Sequence, residues 1–410
     1  MPAAAGSNQL VWSLMKLVIV THVAHYKRGG QLYAYAPYAR EVEVWADIFD
    51  EIVIAAPLRK TVPAGDCGPV DRSNVQIMPQ RELGGETWIA KIKLAYYLPV
   101  MTWELSRALR QGDAIHVRCP GNLGFLGAIL APIFSKHVVA KFAGQWNFTA
   151  GDPLSVRLQR GVLASHWWHG PVTVYGNWPN QSKHVVPFFS SALTAEQITR
   201  AGLAVQKRTP EEARNILFVG RLSRAKNVDV LLAALAHLRT ERIPFKCAIA
   251  GGGPELPMLQ ELSDKLCLGD SVEFTGGVSF DRVLEQYEHS GILVLASQTE
   301  GWPKAIAEGM AFGLIAIGSN LGLIPKMLGN GRGFVVPPRD VEALANTLRQ
   351  ILINPEQHSA MRARAAAWAK DYSLDSLRKS LQALLAEHWG VPTTTGLKPQ
   401  HINSAACIHE

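Results

Sequence analysis

Apolar runs of strand length alternate with amphipathic stretches of helix length along most of the chain. This alternation is typical of parallel sheets that are covered by helices on both faces. In the first half, the predicted strands are Lys16–His22, Glu51–Ala56, Val75–Met78, Ala114–Arg118, His137–Phe142 and Val172–Tyr175. The main helical patterns between them are Gln31–Asp47 and Glu86–Arg110. The first half is therefore predicted to be one parallel α/β lobe.

The pattern breaks between Gly176 and Ser191, where Gly, Asn, Pro and Ser predominate and indicate a connecting loop. The alternation of predicted strands and helices then starts again. The predicted strands of the second half are Asn215–Arg221, Phe245–Gly251, Val272–Gly276, Gly291–Ser297, Leu314–Gly318 and Gly333–Val336. The last predicted helices are Val341–Leu352, Pro355–Tyr372 and Leu374–Trp389, and the final one is long enough to return to the first lobe.

A length of 410 residues favours two domains, so we predict an α/β fold with two Rossmann-like, doubly wound parallel-sheet lobes facing a cleft. The first lobe, with its hinge, is predicted over 15–195 and the second over 196–373. A helix over 374–390 returns to the first lobe. Residues 1–14 are predicted to be an N-terminal extension, and residues 391–410 a disordered tail.

Composition indicates a folded protein without a disulfide framework. Hydrophobic residues make up 48% of the chain and charged residues 18%, which is enough apolar material for folded cores. The formal net charge of +7 permits contact with phosphates or anionic membranes without choosing between them. Five widely spaced cysteines without a CxxC pair argue against a disulfide framework or zinc site and favour a reducing cytoplasm.

No segment has the character of a membrane span or a signal peptide. The longest apolar stretch, Leu123–Phe134, is shorter than the roughly 18 to 20 residues of a transmembrane helix, so we predict a buried or interfacial helix. The first 14 residues lack the apolar core and cleavage site of a signal peptide. A cytoplasmic location is predicted.

Two carboxylates, Glu300 and Glu308, follow the strand that is predicted to end at Ser297. Pro303 suits the first turn of a helix, which places Glu300 in the preceding loop and Glu308 on the helix. Both then lie at the carboxyl edge of a parallel sheet, where such sheets bind ligands. Carboxylates suit sugar hydroxyls and a helix N-terminus suits phosphate. Solvated glutamates at a helix end remain the alternative.

A cationic segment, Gly220–Asn227, follows the first strand of the second lobe. Arg221 and Lys226 could clamp a diphosphate and stabilise it as a leaving group, although surface salt bridges are an alternative. The glycine turn Ala250–Glu255 is a weaker signal, since packing or a tight turn explains it as well as a ligand does.

Taken together, these segments resemble the family 4 glycosyltransferases of the GT-B fold, a retaining group that uses nucleotide sugars. The resemblance is dense over about Asn215–Ser373. It includes four further segments: Phe274–Gly276, Leu295–Ser297, Ala307–Gly313 and Gly333–Pro338.

The resemblance implies a role for each candidate residue. Arg221 and Lys226 would hold the donor diphosphate, Glu300 would contact hydroxyls of the transferred sugar, and Glu308 would contact the ribose. Arg221, Lys226 and Glu300 are thus the implied catalytic residues. The implied donor-binding residues are Gly29, Gly30, Gly220, Gly301, Trp302, Lys304 and Glu308. Gly29 and Gly30 resemble the glycine loop of that family between a first strand and a helix, with an ordinary βα turn as the alternative.

Two departures from the family affect the first lobe. A histidine that often ends one strand is missing from Lys141–Trp146, where Gln145 or Trp146 could replace it. His116 is another candidate, with a core histidine as the favoured interpretation. Trp178, in a variant hinge, is predicted to pack at the lobe interface, with stacking on a sugar as the alternative.

The chain contains no Asp-x-Asp pair, so we expect a metal-independent hexosyltransferase with no cofactor beyond the nucleotide-sugar co-substrate. The expected acceptor is a glycan or a lipid-linked glycan in polysaccharide or envelope synthesis. Peripheral contact with the inner face of a membrane is expected, and nucleic acid is not. The alternatives are a nucleotide-sugar-binding protein without transfer activity and a nucleotide-sugar epimerase of the same fold.

Overall fold

The computed structural model describes residues 15–82, 85, 87–147 and 151–390. The predicted extension over 1–14 and the predicted tail over 391–410 lie outside these residues. The described chain divides into two compact units. The first contains residues 15–63, 68–189 and 377–390, and the second contains residues 64–67 and 190–376. The division after Phe189 lies six residues before the predicted boundary at 195.

The first unit contains a seven-stranded parallel sheet and a small four-stranded sheet. Its strands are β1 (Lys16–Val20), β2 (His25–Arg28), β3 (Gln31–Tyr35), β4 (Glu51–Ala56), β5 (Leu58–Arg59), β6 (Cys67–Val70), β7 (Val75–Pro79), β8 (Ala114–Cys119), β9 (His137–Gln145), β10 (Val172–Tyr175) and β11 (Val185–Phe188). All six strands predicted in this half are present.

The large sheet has the order β11-β10-β9-β8-β1-β4-β7, and all neighbouring strands in it are parallel. The chain runs outward from β1 to β7 and then restarts on the other side of β1 with β8. This reversal is the topological switch of a doubly wound fold. The central strands are buried, as expected where helices cover both faces of a sheet.

The predicted helices of the first unit begin close to their expected positions, with one exception, and a further helix over Leu154–Ala164 was not predicted. The helices of this unit are α1 (Ala36–Ala46), α2 (Trp88–Leu109), α3 (Asn122–Phe134) and α4 (Leu154–Ala164). The Thr87 hydroxyl caps α2 by accepting from the backbone N–H of Ala90. Helix α3 lies where a buried or interfacial helix was predicted; its Leu123 is buried and its Ile133 is 62% exposed.

The exception is the segment after β1, where the predicted turn from strand to helix is wrong. β2 and β3 form an antiparallel hairpin in which Arg28 pairs with Gln31. Gly29 and Gly30 are therefore the two residues of its loop, with φ of +57° and +85°. Two consecutive positive φ values are typical of a type I′ turn, which suits the twist of a hairpin. The predicted helix over Gln31–Asp47 begins only at Ala36.

The second unit contains a six-stranded parallel sheet, and all six predicted strands are present. They are β12 (Asn215–Val219), β13 (Lys246–Ala250), β14 (Val272–Gly276), β15 (Ile292–Leu295), β16 (Ile315–Ser319) and β17 (Gly333–Val336). Their order is β14-β13-β12-β15-β16-β17. Counted from β12, this is the 3-2-1-4-5-6 order of a Rossmann sheet, and its switch point lies between β12 and β15.

The remaining helices are α5 (Ala195–Lys207), α6 (Val228–Thr240), α7 (Leu256–Lys265), α8 (Phe280–Glu288), α9 (Lys304–Ala311), α10 (Ile324–Leu328), α11 (Val341–Ile353), α12 (Ser359–Ala369) and α13 (Leu374–Trp389). The helix predicted over Pro355–Tyr372 is instead a short 3₁₀ turn followed by α12. From Leu377 onward, α13 belongs to the first unit, where Trp389 lies 6.4 Å from Phe49. Within the described ranges, no helix is long and apolar enough to cross a bilayer.

Candidate functional site

Two loops meet at the switch point of the second sheet. One follows β12 and carries Arg221 and Lys226, and the other follows β15 and carries Glu300. Because β12 and β15 are parallel neighbours, both loops leave the same edge of the sheet. The backbone N–H of Gln298 donates to the carbonyl of Ala225 at 2.7 Å, which joins the loops directly. The predicted cations and the predicted loop carboxylate are thus brought together.

Lys226 and Glu300 form an ion pair through Nζ and Oε1. Their side chains are 21% and 11% exposed, so the pair is largely shielded from water while still open to the surface. A charge pair in such a place interacts more strongly than a fully solvated one. Each partner holds the other in position until a ligand offers either of them a competing charge or hydroxyl.

Arg221 is exposed beside this pair. Within the described part of the chain, its guanidinium has no ion pair and no side-chain hydrogen bond. The preceding residue, Gly220, uses its backbone N–H to bind the carbonyl of Ala250 at 2.9 Å. The loop backbone is therefore fixed while the Arg221 side chain remains available to an anion.

Glu308 lies four residues into α9 and is only 6% exposed, which confirms its predicted place on the helix. Its Oε2 accepts a hydrogen bond of 2.9 Å from the Tyr287 hydroxyl. Tyr287 is fully buried, and burial, followed by the neighbouring carboxylate, raises its pKa well above the ordinary value. The phenol therefore stays protonated and orients the carboxylate. Sequence analysis missed Tyr287, whose only signal was a place on the apolar face of α8.

A small cavity lies beside Glu308 within the second unit. Its lining includes Ser190, Ser191, Lys304, Ala307, Glu308 and Tyr372. Three hydroxyl residues, a lysine and a carboxylate thus border one cavity.

The segment between the two carboxylates was predicted to contact the donor through backbone N–H groups near Gly301 to Lys304, and these contacts stay predictions. The Trp302 side chain is 8% exposed, and its ring lies 5.2 Å from that of Tyr372 in a cluster that includes Trp368. The ring therefore packs the interior, which is compatible with the predicted backbone contact. The backbone N–H of Lys304 already donates to the carbonyl of Trp302 at 2.9 Å. Gly301, half-buried, keeps its predicted place at the edge of the site.

Asn227 is a further site residue that sequence analysis missed. It is 1% exposed, and its side chain donates to the carbonyl of Ala296 at 2.9 Å. Its Oδ1 accepts hydrogen bonds from Gln298 at 2.8 Å and from Arg339 at 3.1 Å. Asn227 therefore fixes the loop that carries Lys226 against the loop that follows β15. Its left-handed φ of +48°, which asparagine tolerates better than most residues, is not visible in the sequence.

The glycine turn after β13 supports the cationic loop by packing. A Cβ atom on Gly251 would lie 1.8 Å from the carbonyl oxygen of Gly220, and one on Gly253 would lie 2.2 Å from that of Leu222. At Gly252 the nearest atom would be 3.6 Å away. The packing interpretation thus holds for Gly251 and Gly253, which allow the two loops to touch.

In the first unit, the charged side chains near the end of β8 are used internally. Glu41 pairs with Arg118 at 3.0 Å and with Lys141 at 2.8 Å, and all three side chains are largely buried. His116 is 2% exposed, and its ring lies 4.7 Å from that of Trp45. Burial lowers the pKa of His116 to about 3, which keeps the ring neutral. The favoured interpretation of His116 as a core residue is confirmed.

The other candidates in the first unit are Gln145, Trp146 and Trp178. Trp146 is 7% exposed and meets Phe142 edge to face at 5.3 Å, while Gln145 is half-buried. Trp178 packs against the core of this unit, and its Nε1 donates to the carbonyl of Tyr175 at 2.8 Å. These contacts lie within the first unit, and the predicted place of Trp178 at the lobe interface stays a prediction. The donor contact predicted for the Gly29–Gly30 loop stays a prediction.

No three His, Cys, Asp or Glu side chains among the described residues are grouped so that they could hold a metal ion. Four side chains give the edge of the second sheet its chemistry. It consists of two cations, one of them exposed, a carboxylate paired with the other cation, and a second carboxylate held by a tyrosine. Such a set can bind an anion next to several hydroxyl groups.

Part of the second half of the chain is similar to a known protein family. Residues 202–368 match the family model described as Glycosyl transferases group 1. An uncharacterized glycosyltransferase of Haemophilus influenzae is 32% identical over 179 residues, which are 42% of this chain and 49% of that protein. A D-inositol 3-phosphate glycosyltransferase of Streptomyces scabiei is 30% identical over 187 residues, which are 43% and 42% of the two chains.

A third relative comes from Campylobacter jejuni. It is the GalNAc-alpha-(1->4)-GalNAc-alpha-(1->3)-diNAcBac-PP-undecaprenol alpha-1,4-N-acetyl-D-galactosaminyltransferase, 32% identical over 181 residues, or 43% of this chain and 49% of that protein. The chain thus spans half or less of the length of these three curated relatives.

Solved structures resemble nearly the whole chain. Sucrose-phosphate synthase from Thermosynechococcus elongatus has a TM-score of 0.68 at 17% identity, covering 92% of this chain and 99% of that one. HepE from Anabaena, solved in complex with UDP and glucose, has a TM-score of 0.65 at 15% identity, covering 91% and 99%. At these identities the likeness shows a shared fold.

Proposed function

We propose that this chain, whose residues 202–368 form a glycosyl transferases group 1 domain within a GT-B fold, is a glycosyltransferase that uses a nucleotide-sugar donor. One observation carries the proposal. Arg221 and the Lys226–Glu300 pair lie together at the edge of the sheet where the strand order reverses. Open α/β sheets bind their ligands at this edge.

Each residue has a role in donor binding. Arg221 and Lys226 neutralise the diphosphate, and the incoming phosphates compete with Glu300 for Lys226. Glu300, once released, accepts hydrogen bonds from hydroxyls of the sugar. Glu308, held by Tyr287, accepts hydrogen bonds from the ribose. The supporting feature is that each carboxylate already has a partner that holds it in place.

The reaction proceeds with retention of configuration. The bond between the anomeric carbon and the phosphate oxygen breaks, and the acceptor hydroxyl oxygen bonds to the same carbon on the same face. The hydroxyl proton passes to the departing phosphate oxygen, giving a glycoside and a nucleoside diphosphate. Arg221 and Lys226 stabilise the negative charge that develops on the phosphate, so that the interaction is strongest in the transition state. No metal ion is required.

The acceptor is a hydroxyl of a glycan or of a lipid-linked glycan, in polysaccharide or envelope glycan synthesis. Relatives support this class, since the name of the Campylobacter protein specifies an undecaprenol-linked glycan. The protein acts in the cytoplasm with peripheral contact to the inner face of the membrane, and it does not bind nucleic acid.

The test is a screen for nucleotide release from UDP-, GDP- and ADP-sugars, with and without glycan and lipid-linked acceptors. We expect acceptor-dependent release from one donor and an unchanged rate in EDTA. The anomeric configuration of the product, determined by NMR, should match that of the donor. Conversion of the donor without an acceptor would instead indicate an epimerase, and binding without any conversion would indicate a protein that only binds the donor.

A further inference from the structure

Helix α2 of the first unit exposes large apolar side chains to solvent. Trp88 is 70% exposed, Ile92 58%, Tyr96 76% and Trp103 60%. Large aromatic residues are usually buried, because each removes on the order of 200 Å² from water when it is. The three aromatic side chains alone therefore expose on the order of 400 Å², which is comparable to the largest apolar patch of a typical soluble monomer.

Five of the exposed apolar side chains form one continuous line along the helix; Ile89, 51% exposed, adjoins it, and Leu98, 45% exposed, lies on another face. Trp88, Ile92, Tyr96, Val100 and Trp103 follow one another at intervals of four or three residues, which places them on one helix face. We call these five residues the α2 apolar stripe. At 1.5 Å per residue, it is about 22 Å long.

A different face of α2 holds the helix to its own lobe. Met101, Leu105, Ala108 and Leu109 are at most 3% exposed, and the last three belong to the hydrophobic core of the first unit. The helix is therefore anchored without the stripe. Folding of the first unit does not account for these exposed aromatic residues.

Cations lie beside the stripe. The Arg107 guanidinium is 5.9 Å from the centre of the Trp103 ring, and that of Arg81 is 5.5 Å from the centre of the Tyr97 ring. Lys93 is exposed on the same helix. The carboxylate of α2, Glu104, is neutralised by Arg81 at 2.9 Å. Because Arg81 and Glu104 neutralise each other, Arg107 and Lys93 give the surroundings of the stripe their positive charge.

We propose that the α2 apolar stripe is a membrane-docking surface that lies flat in the interface of a bilayer containing anionic lipids. Tryptophan and tyrosine favour the boundary between headgroups and acyl chains, and flanking Lys and Arg residues favour anionic headgroups. The charge pattern selects this occupant over a second copy of the chain, whose stripe would carry the same cations. The inference extends the peripheral contact in the proposed function by naming the surface that makes it.

The test is flotation of the full chain with phosphatidylcholine vesicles, with and without phosphatidylglycerol. The stripe variant is Trp88→Ser/Trp103→Ser. The matched control is Leu203→Ser/Met258→Ser, which removes two side chains that are 52% and 44% exposed on the second unit. We expect the wild type and the control to float with anionic vesicles, and the stripe variant to lose at least tenfold in partitioning.

A charge variant tests the lipid class. Lys93→Glu/Arg107→Glu should lose binding to anionic vesicles several-fold, as should raising the salt concentration, while Lys370→Glu on the second unit should not. Wild type that stays folded but does not float would overturn the proposal. Loss of a dimer rather than of flotation in the stripe variant would also overturn it, by assigning the stripe to a second copy.

Failure of the docking proposal can be distinguished from failure of the proposed function. Affinity for the sugar nucleotide should be the same in the stripe variant and the wild type, because no residue of the stripe is among the predicted donor-binding residues. Flotation of a wild type that binds no sugar nucleotide would contradict the proposed function and leave the docking surface intact.

Discussion

Asn227 links the two loops of the candidate donor site through a single buried side chain. Its amide contacts the carbonyl of Ala296 and the side chains of Gln298 and Arg339. Sequence patterns indicated its neighbour Lys226 and the carboxylate Glu300, because charged residues after buried strands stand out. The role of Asn227 depends on the adjacency of β12 and β15, which lie far apart in the chain.

Replacing Asn227 by alanine should lower the free energy of unfolding of the second unit by about 2 to 3 kcal/mol. The substitution leaves buried polar groups without partners and keeps a left-handed backbone without the residue that tolerates it. Asn227→Gly loses the same hydrogen bonds but accepts the φ of +48°, so it should cost about 1 kcal/mol less. Denaturation in urea measures the free energy of unfolding of both variants. Equal stability of both variants and the wild type would contradict the role of Asn227.

His116 makes the stability of the first unit depend on pH. Burial lowers its pKa to about 3, from 6.5 when it is unfolded, so the unfolded chain binds the proton more readily. Stability should be full above pH 6.5 and fall as the pH drops towards 3, by up to about 1.4 kcal/mol per pH unit. In urea titrations, His116→Phe should reduce this slope, while His169→Gln, at an exposed position, should not. An unchanged slope in His116→Phe would refute the assignment.

Among the elements, the hairpin of β2 and β3 was the main error of the sequence analysis. The segment Gln31–Tyr35 continues into the apolar pattern of α1, so that strand and helix merge into a single helical prediction. The chemical signal for the hairpin was the Gly29–Gly30 pair, which also suits a phosphate-binding loop. Local patterns do not separate these two uses of consecutive glycines.

Substitution at Gly29 tests whether the loop between β2 and β3 is a type I′ turn. A Cβ at this position meets no atom within 4 Å, so the cost of a side chain comes from the φ of +57° alone. Gly29→Asn should remain close to the wild type in thermal stability, whereas Gly29→Val should lose more than about 1 kcal/mol. Greater stability loss in Gly29→Asn than in Gly29→Val would contradict a type I′ turn.

The loops after β12 and β13 offer a matched pair of glycines. A Cβ on Gly251 would collide with the carbonyl oxygen of Gly220, so Gly251→Ala must displace the loop that carries Arg221 and Lys226. Gly252→Ala meets nothing nearer than 3.6 Å. We expect the first variant to lose at least tenfold in donor affinity and the second to remain close to the wild type. Similar affinities for both would show that this packing does not position the cations.

At the scale of the whole molecule, sequence patterns predicted two parallel α/β lobes but not the order of their strands. Hydrophobic runs identify the strands, and they say nothing about which strands are neighbours. The strand order places the loop after β12 beside the loop after β15. The pairing of Tyr287 with Glu308 depends in the same way on the packing of α8 and α9, so sequence reasoning found the carboxylate and not its partner.

The division of the chain into two units also cannot be predicted from local sequence patterns. Residues 64–67 belong to the second unit, although their neighbours on both sides belong to the first. A Cβ on Gly65 would lie 2.7 Å from the carbonyl oxygen of Gly277, which shows how closely this segment approaches the loop after β14. No composition change marks residues 64–67 as different from the surrounding loop.

The central claim is that the loops after β12 and β15 bind the diphosphate of a sugar nucleotide. Calorimetric titration of UDP, GDP, ADP and their sugar conjugates tests it most directly. Wild type should bind one nucleotide series, and Arg221→Ala/Lys226→Ala should weaken that binding by about 100-fold, as loss of two charge-assisted contacts implies. Arg221→Ala alone, at an exposed side chain, guards against loss of folding.

The control is Lys246→Ala, which removes an exposed cation from the opposite, amino-terminal edge of the same sheet. It should bind the donor as the wild type does. Folded wild type that binds none of the nucleotides, or an Arg221→Ala/Lys226→Ala variant that binds as tightly as the wild type, would contradict the account.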